Sequence, residues 1–526
     1  MITEAKLVNG EMPSSAPEAE GVPSAAIIRF MDEVNCGRLQ LHAFEIARHG
    51  RIIASAAAAP YTMDSFHRIC SAAKGVVASA VLIAVGEGRF TLDSPVLPLL
   101  DPVHIPDSPD ERWQRLTVYH LLTMHTGHAE DTFFEMFGGK SSRWIRTFFE
   151  IAPEYEPGTF FCYDMGAQYV MNEIIRHTTG EDLGAYLTPR LFEPMGIEAQ
   201  YDFTQPEGLF FSSHIQFKPS ALTKLSQLYL QGGAWNGRQL IKRELAELAA
   251  QQHSPCEYTD ADFGVREADD NAGYGLHMWR NSVGGFRFCG GQGQFGVILP
   301  EYDMVLSTFG GEDRLNLILE AFWRTVLRSC HYRALPENAA DAARLRRRMT
   351  AFSTAQEPLS DLSSTAKAVS GRRYAFDGNS EGQREITLRF GPDRVIIDTV
   401  SGKGERRFEC GLSGRWEKNR GYFMLAQPDG EIQDIDRILF YDPSETLLTG
   451  GWRDKSTFVV AVRSRAMMCG YTFAFEFFDG GLEVTLSTTA HSPHFTHMGQ
   501  AAKNRDMIFT ARETGVQKRE LFYGIP

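Results

Sequence analysis

Ser71-Ala72-Ala73-Lys74-Gly75-Val76-Val77-Ala78-Ser79-Ala80-Val81-Leu82-Ile83-Ala84 sets a serine and a lysine three residues apart at the head of an apolar run. The run predicts a buried helix ending near Gly86-Glu87-Gly88. Side chains three apart share a helix face, so the lysine amine reaches the serine hydroxyl. A desolvated amine with a lowered pKa takes the serine's proton and leaves a nucleophile, which is the apparatus of Ser-x-x-Lys acyl transfer. The tetrapeptide alone is weak, because Ser364-Thr365-Ala366-Lys367 fits the same pattern. That copy lies in a Ser-, Thr- and Ala-rich stretch with no long apolar run behind it and reads as linker.

Outward from Ser71, residues 38–62 alternate and turn at Arg48-His49-Gly50-Arg51, which reads as a hairpin. Helical spacing recurs at Thr117–Thr123, at Gly166–Thr178 with Gly180 as its C-cap, and at Leu222–Leu230. Phe286–Phe309 reads as paired strands and Leu315–Cys330 as a helix. Strands bracketing a helical middle give an α/β or α+β pattern. Beyond about residue 335 the composition shifts, through the basic run Arg344–Arg348 and the polar Ser353–Ser370. Short alternating strands follow, including Arg384–Phe390, Arg394–Asp398, Tyr422–Leu425, Thr457–Arg463, Tyr471–Phe478 and Leu482–Thr488. Pro428-Asp429-Gly430 and Asp479-Gly480-Gly481 mark turns between them. The expected organisation is a catalytic domain over 1–335, a linker over 336–370 and an antiparallel, lipocalin-like β-barrel over 371–526.

The chain has 526 residues and a formal net charge of −13. That charge argues against nucleic acid and against an anionic membrane surface as partners. No apolar run approaches the roughly 18 residues of a membrane span, and the N-terminus carries no apolar signal region. Eight cysteines are scattered without metal spacing, so reduced thiols and a cytoplasmic location are expected.

His67-Arg68-Ile69-Cys70-Ser71-Ala72-Ala73-Lys74-Gly75, leading to Gly86-Glu87-Gly88-Arg89-Phe90-Thr91-Leu92-Asp93, resembles the serine β-lactamase-related, penicillin-recognising hydrolases of the class C, esterase and D-aminopeptidase type. Leu116–His128, Glu156-Pro157-Gly158-Thr159, Leu191–Ile197 and Trp235-Asn236-Gly237 continue it in order, over about residues 17–325. The resemblance implies a β-lactamase-like fold: an antiparallel sheet flanked by a helical subdomain. It implies Ser71 as nucleophile, Lys74 and Tyr163 as its proton partners, and no metal or organic cofactor.

Two family motifs are altered. Tyr163-Asp164-Met165 stands where the family has Tyr-x-Asn, so Met165 replaces the asparagine that contacts a substrate amide. Asp164 is one candidate to replace it, although neighbours on extended backbone point apart. Phe288-Cys289-Gly290 holds neither the Lys nor the His of the family's strand motif, and Arg287 is the candidate replacement. Backbone N–H groups near Ser71 and at Gly290 and Gly291 remain able to hold an oxyanion. His67, four residues before Ser71, lines the cleft or caps the helix, with nothing in the sequence to choose between them.

Other patterns are weaker. Gly291-x-Gly293-x-x-Gly296 lacks the following helix of a dinucleotide site, and His125-x-x-His128-x-x-Asp131 has no fourth metal ligand. Cys70, Cys162 and Cys289 adjoin the site motifs and read as small apolar packing. The expected partner is a small molecule or short peptide, with self-association left open. An amidase or peptidase is the first expectation, and the family's linearised-microcystin peptidase illustrates the substrate type. A carboxylesterase comes second, and a non-catalytic ligand-binding protein on the same fold is the rival from another class.

Overall fold

The computed structural model describes residues 2–3, 7, 10–138, 143–201, 214–256, 269–312, 314–354, 359–361, 363–379, 381–424, 445–464, 470–488 and 507–513. They form two compact units. One comprises Met1–Ala58, Thr62–Gly310 and Arg314–Ser353, and the other comprises Ala59–Tyr61, Gly311–Asp313 and Thr354–Pro526.

The first unit is built on a six-stranded antiparallel sheet. Its strands are β1 (Leu41–Arg48), β2 (Arg51–Ala57), β3 (Trp279–Arg280), β4 (Phe286–Gly290), β5 (Gln294–Leu299) and β6 (Met304–Gly310), in the order β2-β1-β6-β5-β4-β3. The predicted hairpin forms at the predicted turn. Arg48 pairs with Arg51, and the loop residues His49 and Gly50 have φ of 50° and 71°. Two left-handed residues in a row are what a two-residue turn needs to match strand twist.

Helix α1 (Ser24–Cys36) covers one sheet face together with α5 (Asn316–Thr325) and α6 (Ala339–Thr350). Phe30 meets Phe44 and Phe322 edge-on at 5.5 and 5.7 Å, and Leu345 of the basic run joins this core. On the opposite face lie α2 (Ala73–Gly86) and α4 (Pro219–Leu230). Their fit is close: a Cβ on Gly75 of α2 would sit 2.3 Å from the Phe288 ring, and one on Gly296 of β5 would sit 2.6 Å from Ser226 Oγ. Residues Ala73 to Ala84 of α2 are all buried, as expected of a helix apolar all round. Helix α3 (Met165–Thr179) packs on α2 and ends at Gly180, whose φ is 75°.

The second unit is a closed barrel. Its strands are β7 (Arg373–Phe376), β8 (Gln383–Phe390), β9 (Arg394–Ser401), β10 (Gly404–Gly411), β11 (Glu417–Asn419), β12 (Thr446–Trp452), β13 (Thr457–Ser464), β14 (Tyr471–Phe478), β15 (Gly481–Thr488) and β16 (Met507–Glu513). The ring runs β10-β9-β8-β7-β16-β15-β14-β13-β12 and closes where β10 meets β12. A ring of nine strands cannot alternate direction throughout, so one pair must be parallel. That pair is Gly411 and Thr449. Short β11 pairs with the remainder of β12, from Thr446 to Leu448. Aromatic rings fill the interior: Phe423 stands edge-on to Phe408 at 5.1 Å and to Phe473 at 5.2 Å.

Two sequence expectations change here. Tyr422 to Met424 are not strand, and Leu425 and Pro428-Asp429-Gly430 lie outside the described residues. Ser364 begins a six-residue helix, Ser364–Val369, that leaves both Ser364 and Lys367 exposed, so this copy of the motif has no desolvated amine. No helix among the described residues is long and apolar enough to cross a membrane.

Candidate active site

Ser71 stands on a sharp entry into α2. The strand His67–Arg68 pairs with Gln216–Phe217, Ile69 N–H donates to Ile215 O at 3.0 Å, and a 3-10 turn over Cys70–Ala72 leads into the helix. Cys70 takes φ of 51°, which a side chain rarely adopts and which costs strain that the surroundings must hold. Lys74 follows one turn later. It is 1% exposed, its Nζ donates to Ser71 Oγ at 3.3 Å, and it lies 4.4 Å from the centroid of the Tyr163 ring. A buried lysine head group needs such partners.

Tyr163 precedes α3 and packs against Trp279 at 5.5 Å and edge-on to Tyr274 at 6.1 Å. Trp279 opens the strand next to β4, so the sheet edge and the helix entry meet around Tyr163. At the end of β4, a Cβ on Gly290 would lie 2.2 Å from Ile69 O and 3.1 Å from Ala72 N. Only glycine lets this strand approach the Ser71 turn so closely. Gly291 follows with open space around it. Ser71, Lys74, Tyr163, Gly290 and Gly291 therefore converge, and half-buried Met165 begins the helix behind Tyr163.

Three suggested substrate contacts are corrected by their burial. His67 is 3% exposed, between His42 at 6.0 Å and Phe309 at 4.9 Å, and burial pushes its pKa down to about 3. Asp164 is fully buried, and its carboxylate accepts from Gly166 N–H at 2.8 Å, capping α3. Arg287 is fully buried, donating to Arg280 O and, at 3.2 Å, to Asp269 O, with Asp270 3.6 Å away. Each is consumed by the fold, as buried polar groups must be. Burial also raises the thiols of Cys162 and Cys289, which suits packing better than nucleophilic attack.

Two nearby residues carried no sequence signal for the site. His277 has φ of 58°, with Nδ1 3.3 Å from Lys74 O and Nε2 3.1 Å from Leu121 O. Burial, and then the Lys74 charge, press its pKa to about 3, against the two carbonyls that favour a protonated ring, and it packs behind the first turn of α2. Asp131 appeared in the sequence only as part of a metal-like triplet. Among the described residues no group of three His, Cys, Asp or Glu side chains could hold a metal.

Residues 42–309, slightly more than half of the chain, match the family model Beta-lactamase. The chain belongs to the beta-lactamase family. This β-lactamase-family chain is 27% identical over 175 residues to Esterase EstB of Burkholderia gladioli, covering 29% of the chain and 44% of the esterase. It is 27% identical over 188 residues to Penicillin-binding protein 4 of Amycolatopsis lactamdurans, covering 35% and 46%. The matches thus span less than half the length of these two relatives. Among solved structures, the octameric penicillin-binding protein homologue from Pyrococcus abyssi is similar at a TM-score of 0.45 and 15% identity, covering 93% of this chain and 98% of the other.

Proposed function

We propose that this chain is a serine hydrolase that cleaves an amide or peptide bond of a small or linear peptide through an acyl-enzyme on Ser71. The observation that carries the reading is the buried Lys74 Nζ 3.3 Å from Ser71 Oγ, beneath the Tyr163 ring, in a β-lactamase-family chain. Ser71 Oγ attacks the carbonyl carbon, and its proton passes by way of Lys74 and Tyr163 to the departing nitrogen. Backbone N–H groups near Ser71 and at Gly290 and Gly291 receive the negative oxygen. Water then enters, gives up a proton by the same route, and releases the acid and the free serine. No step asks for a metal or an organic cofactor.

Met165 and Phe288-Cys289-Gly290 leave β-lactam and D-Ala-D-Ala recognition without its usual side chains. An ester is the second reading, favoured by the match to EstB. The test is turnover of a panel of D- and L-aminoacyl amides, short peptides and p-nitrophenyl esters by wild type and Ser71→Ala. Loss of at least about a thousandfold in a folded Ser71→Ala supports the acyl-enzyme. Undiminished turnover sinks it, and a wild type that turns over nothing and takes no fluorophosphonate at Ser71 favours a non-catalytic binding protein.

A further inference from the structure

Two carboxyl groups meet behind Tyr163, and the chemistry above uses neither. Asp164 Oδ1 accepts from the Thr132 hydroxyl at 2.7 Å, the Thr132 N–H at 3.2 Å and the Gly166 N–H at 2.8 Å. Its Oδ2 lies 3.4 Å from His128 Nδ1. Asp131 Oδ1 accepts from the N–H groups of Met165 at 2.9 Å and Phe133 at 3.0 Å. Each carboxylate thus bonds the residue that follows the other acid. Together they stitch residues 131–133 to residues 164–166, the turn that carries Tyr163.

Two carboxyl groups held this close resist ionising together. The surrounding donors decide which keeps its proton. Asp164 has a hydroxyl, two N–H groups and His128 to stabilise a charge, and Asp131 has two N–H groups. Asp131, with fewer donors, is the group that favours keeping a proton. Accordingly, burial and then the Asp164 charge push Asp131 up to about 8, against its two N–H donors and Lys74. Burial works to raise Asp164 as well, but the His128 and Thr132 contacts hold it below the usual carboxylate range.

We propose that Asp131 is a positioning residue whose proton keeps the Tyr163 turn seated beside Lys74, and whose ionisation unseats it. The titratable groups around it are Asp164 at the head of α3, His128 behind Asp164, Lys74 from α2 and the Cys162 thiol, which feels both acids. The inference rests on the Ser71 reading for its activity readout alone.

Asp131→Asn tests it, because the uncharged amide accepts from Met165 and Phe133 as the protonated acid does. On a p-nitrophenyl ester, wild-type kcat/KM is expected to fall about tenfold per pH unit above about 8, and Asp131→Asn is expected to match wild type at pH 7 and lose that limb. Asp131→Ala, with no stitch, is expected to be slow at every pH. An unchanged alkaline limb in Asp131→Asn, or its failure at all pH values with normal melting, overturns the proposal. Melting gives a readout that does not involve Ser71. The folded state keeps a proton that the unfolded chain lacks, so this stability is full below the ordinary carboxyl range and is lost as pH rises through about 8. Asp131→Asn is expected to lack that loss, and an identical melting profile overturns the proposal whatever becomes of Ser71.

Discussion

His67 shows what burial does to a residue type suited to proton transfer. Packed between His42 and Phe309, it is neutral in the folded protein, held at about 3 against an ordinary 6.5. The unfolded chain takes up that proton below 6.5, so the stability it gives is present above 6.5 and is lost as pH falls toward 3. His67→Phe, which preserves the ring packing, is expected to lose less melting temperature than wild type between about pH 7 and pH 4. Equal acid slopes in the two proteins would refute this. Ser71 and Lys74 were legible in the sequence because one helical turn fixes their relation, and Tyr163 through its flanking residues. Asp131 and His277 were not, because loops far apart in the chain bring them to the site, and no local pattern encodes that meeting.

At the scale of elements, the site depends on how closely α2 lies on β4. A Cβ on Gly75 would sit 2.3 Å from Phe288 Cδ1, so Gly75→Ala must displace the ring or the strand. Overpacking of this kind costs about 1–3 kcal/mol. The expected result is a lower urea midpoint with unchanged slope, and a fall in kcat larger than the change in KM, because Gly290 rides on the same strand. A variant as stable and active as wild type would show that the strand has slack. Apolar periodicity and turn residues made α2, α3, α4 and the first hairpin readable. Helix α1 was harder, since Pro23 precedes it and no side chain caps its start. The Tyr422 stretch shows that β-forming side chains alone do not make a strand.

For the molecule as a whole, acidic groups set the alkaline side of stability as histidines set the acid side. Glu45, on β1, is raised to about 7, by burial first, and Asp131 to about 8. Both keep a proton on folding, so their contribution is lost as pH climbs through those values. His67 and His277 stop contributing a slope above 6.5. Calorimetry should therefore find the melting temperature falling between about pH 6.5 and 8.5, with a shallower fall in Glu45→Gln. A flat profile across that window would contradict both assignments. The antiparallel sheet and the barrel were legible as classes from alternation and turns. The parallel seam at Gly411 and Thr449 was not, because it follows from the number of strands rather than from any residue in them.

The pairing of β1 with β6 has a consequence for synthesis. Every residue of β1 is buried in the finished sheet, yet Leu41 finds its partner only at Gly310. At ribosomal speeds that delay is roughly ten to fifty seconds. Throughout it the nascent chain carries an apolar hairpin with one bare edge, while in the later barrel only β7, which waits for β16, and β10, which waits for β12, pair with strands that are not their neighbours in sequence. The unit that would hold the nucleophile is thus made first and completed late, and it is the part of this protein with most need of a chaperone.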